Sequence, residues 1–224
     1  MKRFLVTLLG LTLFGAGACE QKQQSPTPRV MSATAAQPSN PLNPVVFIET
    51  SMGTITAELY KDKAPKTVEN FLAYVDDKFY DGTLFHRVMR DFMIQGGGYE
   101  PGLKEKKQRA PIENEAKNGV SNQRGTLAMA RLEKPDTAAA EFFINTVDNV
   151  RLDYRAYPKE RGKDNAGYCV FGKVLAGMDV VDRIELVPTD VRTVQMEVNA
   201  KVVPVDYEDV PVQDVVIKSI RRAN

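Results

Sequence analysis

Fourteen consecutive residues, Phe85-His86-Arg87-Val88-Met89-Arg90-Asp91-Phe92-Met93-Ile94-Gln95-Gly96-Gly97-Gly98, restrict the fold more than any other part of this chain. Leu84 to Val88 alternates apolar with polar or basic residues, and Phe92 to Gln95 is a second β-prone run that ends in three glycines. Arg90-Asp91 falls between them as a turn, so the stretch predicts two short paired strands. A strand places i, i+2 and i+4 on one face, which puts Phe85, Arg87 and Met89 together and Met93 with Gln95. Paired, the strands bring an arginine, a methionine and a glutamine to one concave surface, with Phe92 at its rim. Taken alone, the plainer reading is an amphipathic hairpin whose arginine is solvated.

The flanking sequence supplies the rest of a β-rich body. Val45 to Thr50 and Gly53 to Leu59 predict a hairpin turning at Ser51-Met52-Gly53. Lys61 to Lys78 changes to helical spacing, with Val68, Phe71, Leu72 and Val75 at i, i+3, i+4 and i+7 and Pro65 tolerated in the first turn. Gly125 to Ala130, Phe142 to Asn145, Tyr168 to Ala176 and Val212 to Arg221 read as further strands, and Gly177 to Glu185 as a second short helix. Pro101 to Gly119, Arg131 to Ala140 and Arg151 to Gly167 are polar connections. Many antiparallel strands with two isolated helices describe an all-β barrel or sandwich with helices at its open ends. No internal repeat is present.

Composition narrows the chemistry. A chain of 224 residues with a net charge of +1 holds one domain plus extensions, and nothing in its interspersed charges points to nucleic acid. His86 is the one histidine, and Cys19 and Cys169 are the two cysteines, which argues against a zinc site. Glu113, Asn114 and Glu115 are read as a structural loop rather than metal ligands. His86 has no matching serine or cysteine constellation and points away from Arg87 on its strand, so it is read as structural. Cys169 behaves as a small hydrophobe.

The N-terminus reads as an export signal over residues 1–18. Lys2-Arg3 precedes an apolar run from Phe4 to Phe14, too short to span a bilayer of ~30 Å. Ala16-Gly17-Ala18 supplies small residues for cleavage immediately before Cys19. Two outcomes follow: lipidation of Cys19, with Ala16 standing where such sites usually have leucine, or ordinary cleavage leaving Cys19 first and unmodified. Gln21 to Pro44 is rich in Gln, Pro, Ser, Thr and Ala and cannot bury a core. It is expected to be a disordered tether with an r.m.s. reach of about 25–30 Å, leaving residues 45–224 as the folded domain.

Phe85-His86-Arg87-Val88 and Phe92-Met93-Ile94-Gln95-Gly96-Gly97 resemble the signature of the cyclophilins, the peptidyl-prolyl cis-trans isomerases. Gly125-Thr126-Leu127-Ala128-Met129-Ala130, Phe142-Phe143-Ile144-Asn145 and Val170-Phe171-Gly172-Lys173-Val174 follow in the family's order. The resemblance runs from about Val45 to Ile220, and its nearest look is to bacterial periplasmic members. It implies an eight-stranded antiparallel barrel capped by two helices, with no cofactor. It also implies Arg87, Gln95 and Phe92 as the catalytic group, with Met93, Phe143 and Leu152 completing an apolar proline pocket. The main chain at Ala130 and Arg131 would bind peptide backbone, and Tyr168 stands where many members have a histidine. The implied partners are proline-containing unfolded proteins met by a monomer on the periplasmic side of a bacterial envelope, held to a membrane by lipid.

Prolyl isomerisation suits a sequence that offers no nucleophile, metal or proton shuttle. The barrier is ~18–20 kcal/mol, and the uncatalysed step takes on the order of 10–100 s. Reaching milliseconds requires about four decades, or roughly 5–6 kcal/mol. In the twisted transition state the amide nitrogen regains its lone pair, so a donor such as Arg87 binds it more strongly there than in the ground state. Two departures from the family's pattern bear on this. Glu141 replaces a glutamine before Phe-Phe and, as an acceptor only, is expected either to contact substrate or to pair with Arg87 and hold it off the peptide. Arg151 replaces a tryptophan common in eukaryotic members. Three functional classes therefore stand: an isomerase, a proline-peptide-binding chaperone with weak activity because of Glu141, and an envelope lipoprotein with no site.

Overall fold

The computed structural model describes residues 37–156, 166–198 and 201–223. The expected export signal, Cys19 and most of the expected tether lie outside them. Thirteen strands and two α-helices make up the described regular structure, together with two short 3-10 turns.

The first hairpin forms as its alternation requires: β1 (Val45–Thr50) pairs antiparallel with β2 (Gly53–Leu59). Helix α1 (Pro65–Asp76) is shorter than the Lys61–Lys78 run, and its stripe of Val68, Phe71, Leu72 and Val75 is wholly buried. Ala64 supplies no side-chain cap. The Glu115 carboxylate supplies it from a distant loop, accepting from the Lys66 and Thr67 N–H groups at 3.2 and 2.8 Å. Phe71 then packs on Tyr80, Phe142 and Phe171 at ring separations of 5.1–5.5 Å, which makes it the centre of the core.

The long run expected as one strand from Leu84 is broken. Thr83–Leu84 (β3) and Arg87–Met89 (β4) are separate strands, followed by β5 (Met93–Gly96) and the small pair β6 (Tyr99–Glu100) and β7 (Lys104–Glu105). After β8 (Thr126–Met129), β9 (Phe142–Asn145) and β10 (Val170–Ala176) comes α2 (Met178–Glu185). Last are β11 (Thr189–Val198), β12 (Lys201–Pro211) and β13 (Val216–Arg222).

Nine strands form one antiparallel sheet in the order β3-β13-β1-β2-β10-β8-β9-β5-β4. Its two edge strands, β3 and β4, are separated in sequence only by Phe85 and His86, so the sheet curls until its edges meet. The seam is closed by the Gly97 N–H donating to the Leu84 carbonyl at 3.2 Å. Counted as one interrupted strand, β3 and β4 give the expected eight-stranded barrel. Helix α2 packs at the Gly53 end of β2, where Val180 lies against the glycine, and α1 follows the Leu59 end.

Three expectations are corrected. Phe85 does not share a face with Arg87: the break turns it into the core, fully buried, with its N–H on the Val215 carbonyl. The folded region also begins before Val45. The buried Glu58 carboxylate accepts from the Ser39 N–H and Oγ, the Asn40 N–H and Asn43 Nδ2 at 2.7–3.2 Å, which ties the end of the expected tether to β2. No element is expected between Glu185 and Val212, yet β11 and β12 form a long two-stranded ribbon there.

Candidate active site

Period-two alternation divides the side chains of the barrel wall between two clusters. Val88, Ile94, Leu127, Met129, Phe142, Ile144 and Phe171 point into the main core. Their neighbours Met93, Ala128, Phe143 and Val170 form a second, separate cluster, against which Tyr60, Met89, Phe92, Val120, Ala130, Leu152 and Tyr168 pack. The register makes this cluster one line across five strands: Arg87 faces Gln95, Gln95 faces Phe143, Phe143 faces Ala128, and Ala128 faces Val170. A charged donor, an amide and an aromatic floor are thus placed side by side by backbone pairing alone.

Arg87 is about half exposed and held at two of its nitrogens. Nη1 donates to Gln95 Oε1 at 3.5 Å, and Nε lies 3.8 Å from Asp209 Oδ2 on β12. Gln95 turns its other end to Glu141, Nε2 donating to Oε2 at 2.8 Å, and His86 Nε2 stands 3.4 Å from the same oxygen. A carboxylate only accepts, so Glu141 fixes the amide with its nitrogen inward and its oxygen toward Arg87. Burial pushes the Glu141 carboxyl up, but His86 and the Gln95 amide outweigh it and hold it below the usual carboxylate value. Gly98 makes room for this group: a β-carbon there would lie 2.6 Å from the Glu141 side chain. Glu141 therefore does not pair with Arg87, and its near carboxylate oxygen is committed to Gln95 and His86. His86 is buried, with the Tyr99 ring tilted against it at a centroid distance of 4.5 Å.

Asp209 reaches Arg87 because β12 is irregular there. Asp190 faces Val210 and Arg192 faces Tyr207, so Glu208 and Asp209 together oppose Val191. This is a bulge, which re-aims a side chain, and Asp209 adopts a positive φ of 58° within it.

The opposite wall of the surface is set by buried asparagines. Phe92 sits in the β4–β5 turn, its carbonyl accepting from Asn149 Nδ2 at 2.7 Å and the Thr146 N–H at 3.1 Å. Asn149 Nδ2 also donates to Asn145, and Asn145 donates to Thr126 and Asn122. The Asp153 carboxylate accepts from the Asn122 N–H and Nδ2 at 2.7 and 2.9 Å and from the Ser121 hydroxyl. This network anchors the 3-10 turn Val150–Leu152, which carries Leu152 to the cluster and Arg151 over the Phe92 ring at 4.6 Å. Tyr168 precedes β10 rather than lying in it, and meets Phe143 edge-on at 5.8 Å. The Arg131 guanidinium covers Tyr168 at 4.7 Å and donates to the Gly167 carbonyl. The N–H of Ala130 donates to the Glu141 carbonyl at 3.0 Å.

Residues 45–222 match the family model for the cyclophilin type peptidyl-prolyl cis-trans isomerases. The chain belongs to this family. It is 50% identical over 181 residues to a peptidyl-prolyl cis-trans isomerase of Acinetobacter baylyi, covering 81% of this chain and 89% of that protein. To peptidyl-prolyl cis-trans isomerase B of Escherichia coli it is 47% identical over 176 residues, or 79% of this chain and 98% of the relative. Among solved structures, a cyclophilin type isomerase of Cryptosporidium parvum superposes with a TM-score of 0.61 at 25% identity, covering 81% of this chain and 98% of that one. The same protein, solved in the presence of the dipeptide Ala-Pro, gives a TM-score of 0.60, covering 80% and 99%.

In this cyclophilin, Arg87, Phe92, Met93, Gln95, Ala130, Phe143, Leu152 and Tyr168 lie on one surface, with Arg131 at its margin. Cys19 lies outside the described residues. Asn145, Asn149, Asn122, Asp153 and Asp209 were missed as site-forming residues. A buried asparagine has no periodic signature, and Asp209 arrives from an unexpected element. Among the described residues no cluster of His, Cys, Asp and Glu forms a metal site. Glu115 caps α1, Glu113 pairs with Lys66, and Asn114 donates to the Gly167 carbonyl.

Proposed function

We propose that the protein accelerates cis-trans isomerisation of X-Pro bonds in exported polypeptides, with Arg87 donating a hydrogen bond to the prolyl nitrogen as the amide twists. The register line that sets Arg87 and Gln95 beside Phe143 and Met93 carries this reading. The ring of the proline sits on Met93, Phe143, Phe92 and Leu152, and the peptide backbone runs past Ala130 and Arg131. Asp209 and Gln95 hold Arg87, while Nη2 faces no described partner and is the donor. A charge-assisted hydrogen bond nets only ~1.5–3 kcal/mol. The remainder of the roughly 5–6 kcal/mol comes from gripping one side of the bond so that only the other rotates.

The family membership and the Ala-Pro dipeptide of the similar solved structure support the substrate class. The chaperone reading needs Glu141 to seize Arg87, and the pairing of Glu141 with Gln95 and His86 speaks against it. Export and lipidation of Cys19 rest on the sequence of residues 1–19 alone, and the mass of the mature N-terminal peptide tests them. The enzyme reading is tested by NMR exchange on an Ala-Pro peptide with the protein and its Arg87→Ala variant. Fast exchange in the first and a loss of about 10- to 100-fold in the second is expected. Equal rates would remove Arg87 from the mechanism, and no acceleration by the intact protein would remove the activity.

A further inference from the structure

The β11–β12 ribbon is the part of the molecule that the barrel does not explain. It pairs only with itself, and an isolated two-stranded ribbon is marginal in water unless its apolar face is covered. Its faces are unlike. Val194 opposite Val205 and Met196 opposite Val203 form an apolar face, all four half-buried. Thr193 opposite Asp206 and Gln195 opposite Pro204 form an exposed polar one. The apolar face continues into Tyr207, whose ring meets Tyr99 at 5.7 Å. The bulge beyond Tyr207 brings Asp209 to Arg87. The apolar face therefore ends two residues from the carboxylate that holds the proposed donor.

We propose that this face is a second binding surface for the client polypeptide, taking an extended, uncharged apolar stretch of the chain that flanks the isomerised proline. This rests on the isomerase reading. From the Arg192–Tyr207 pair to the Val198–Lys201 pair the ribbon spans about 20 Å, room for some seven extended residues. The charges at hand select such a stretch. Of the two charged residues in line with the apolar pairs, Arg192 is already bound to Asp214 at 2.9 Å and to the Pro211 carbonyl, and Lys201 stands exposed at the far end of the ribbon. The polar face carries Asp206, and Glu208 is exposed beside the bulge, the wrong sign for an anionic lipid surface. A short proline peptide ends before it reaches the ribbon, whereas an unfolded protein does not. The ribbon thus discriminates by length and apolarity around the proline.

The test compares two substrates for the full-length protein: an Ala-Pro tetrapeptide, and an unfolded protein whose refolding is limited by prolyl isomerisation. Two variants are used. One is Val194→Ser with Val205→Ser. The other replaces residues 193–206 by Asn-Gly, which joins the directly opposed Arg192 and Tyr207 and keeps Asp209 in place. Both are expected to turn over the tetrapeptide at the native rate. On the protein substrate they should lose about fivefold in kcat/KM, through KM. An unchanged rate on the protein substrate overturns the proposal. A parallel loss on both substrates also overturns it, showing that the ribbon acts through Asp209 on Arg87. So does a native dimer that the variants dissociate in sedimentation, which would assign the face to a second copy of the chain. Failure of the intact protein on the tetrapeptide would instead strike the isomerase reading.

Discussion

The β4–β5 hairpin and the β11–β12 ribbon are both antiparallel pairs, yet they are built by opposite means. The first has strands of three and four residues, the second of ten and eleven. The short hairpin is fixed from outside: β5 pairs with β9, its turn hangs from Asn149 and Thr146, and its glycines admit neighbouring chain. The long ribbon relies on its own cross-strand contacts, and among the described residues its anchors lie at its root, through Tyr207, Asp209 and Arg192. Placement of an active-site residue follows from how many neighbours constrain a strand, not from how long the strand is.

This contrast can be broken most severely in the core. Phe71→Ala should cost about 3–5 kcal/mol, because three rings close on that side chain, whereas Val194→Ala in the ribbon should cost under about 1 kcal/mol. Thermal or denaturant unfolding measures both, and equal costs would mean that the ribbon is part of the cooperative core.

Asn149→Ala should come next, at about 1–3 kcal/mol, since it leaves the buried Asn145 Oδ1 without its donor and the Phe92 carbonyl with the Thr146 N–H alone. Peptide KM should rise with it, as Phe92 and Leu152 lose their shared anchor.

A third test uses acid. Burial raises the Glu58 carboxyl, but hydrogen bonds from Ser39, Asn43 and Asn40 outweigh it and hold it below the ordinary value, as His86 and Gln95 do for Glu141. Both groups therefore add stability that is complete above the ordinary carboxylate pKa of about 4.5 and is lost as pH falls through their lower folded values. The unfolding free energy should fall below about pH 4.5, less steeply in Glu58→Gln. A slope that Glu58→Gln leaves unchanged would remove Glu58 from the acid response.

The smallest effect expected is for Asp209→Asn. It leaves shape and root intact but removes the charge beside Arg87, and kcat on the tetrapeptide should drop about two- to fivefold with KM unchanged. High salt should weaken the native enzyme toward the same value.

The same contrast governs what could be read from the sequence. The apolar stripe of α1, the β1–β2 hairpin and the alternation of Met93 with Ile94 were legible because one face of each is buried against a continuous core. The break at Phe85-His86 was not, since alternation alone does not reveal that a strand changes partner where the barrel closes. Glu141 was legible as a departure but not as the group orienting Gln95, because that depends on Gly98 leaving space beside it. The ribbon did carry a signal: Val194 and Met196 alternate with Thr193, Gln195 and Glu197, and Val203, Val205 and Tyr207 with Pro204, Asp206 and Glu208. It gives alternation without a core, which a reading centred on the barrel passes over. Asp209 was hidden twice, by the ribbon and by the bulge within it.

The seam of the barrel has a kinetic consequence. β1 pairs with β13, and β13 also holds β3, so the earliest strand of the sheet waits for the latest. Contacts so far apart in sequence close slowly and cannot form on a growing chain. Until Val216 to Arg222 has been synthesised, β1 and β3 each present an open edge on which other chains can add. A protein proposed to help slow folding must itself remain unfinished until β13 has been made.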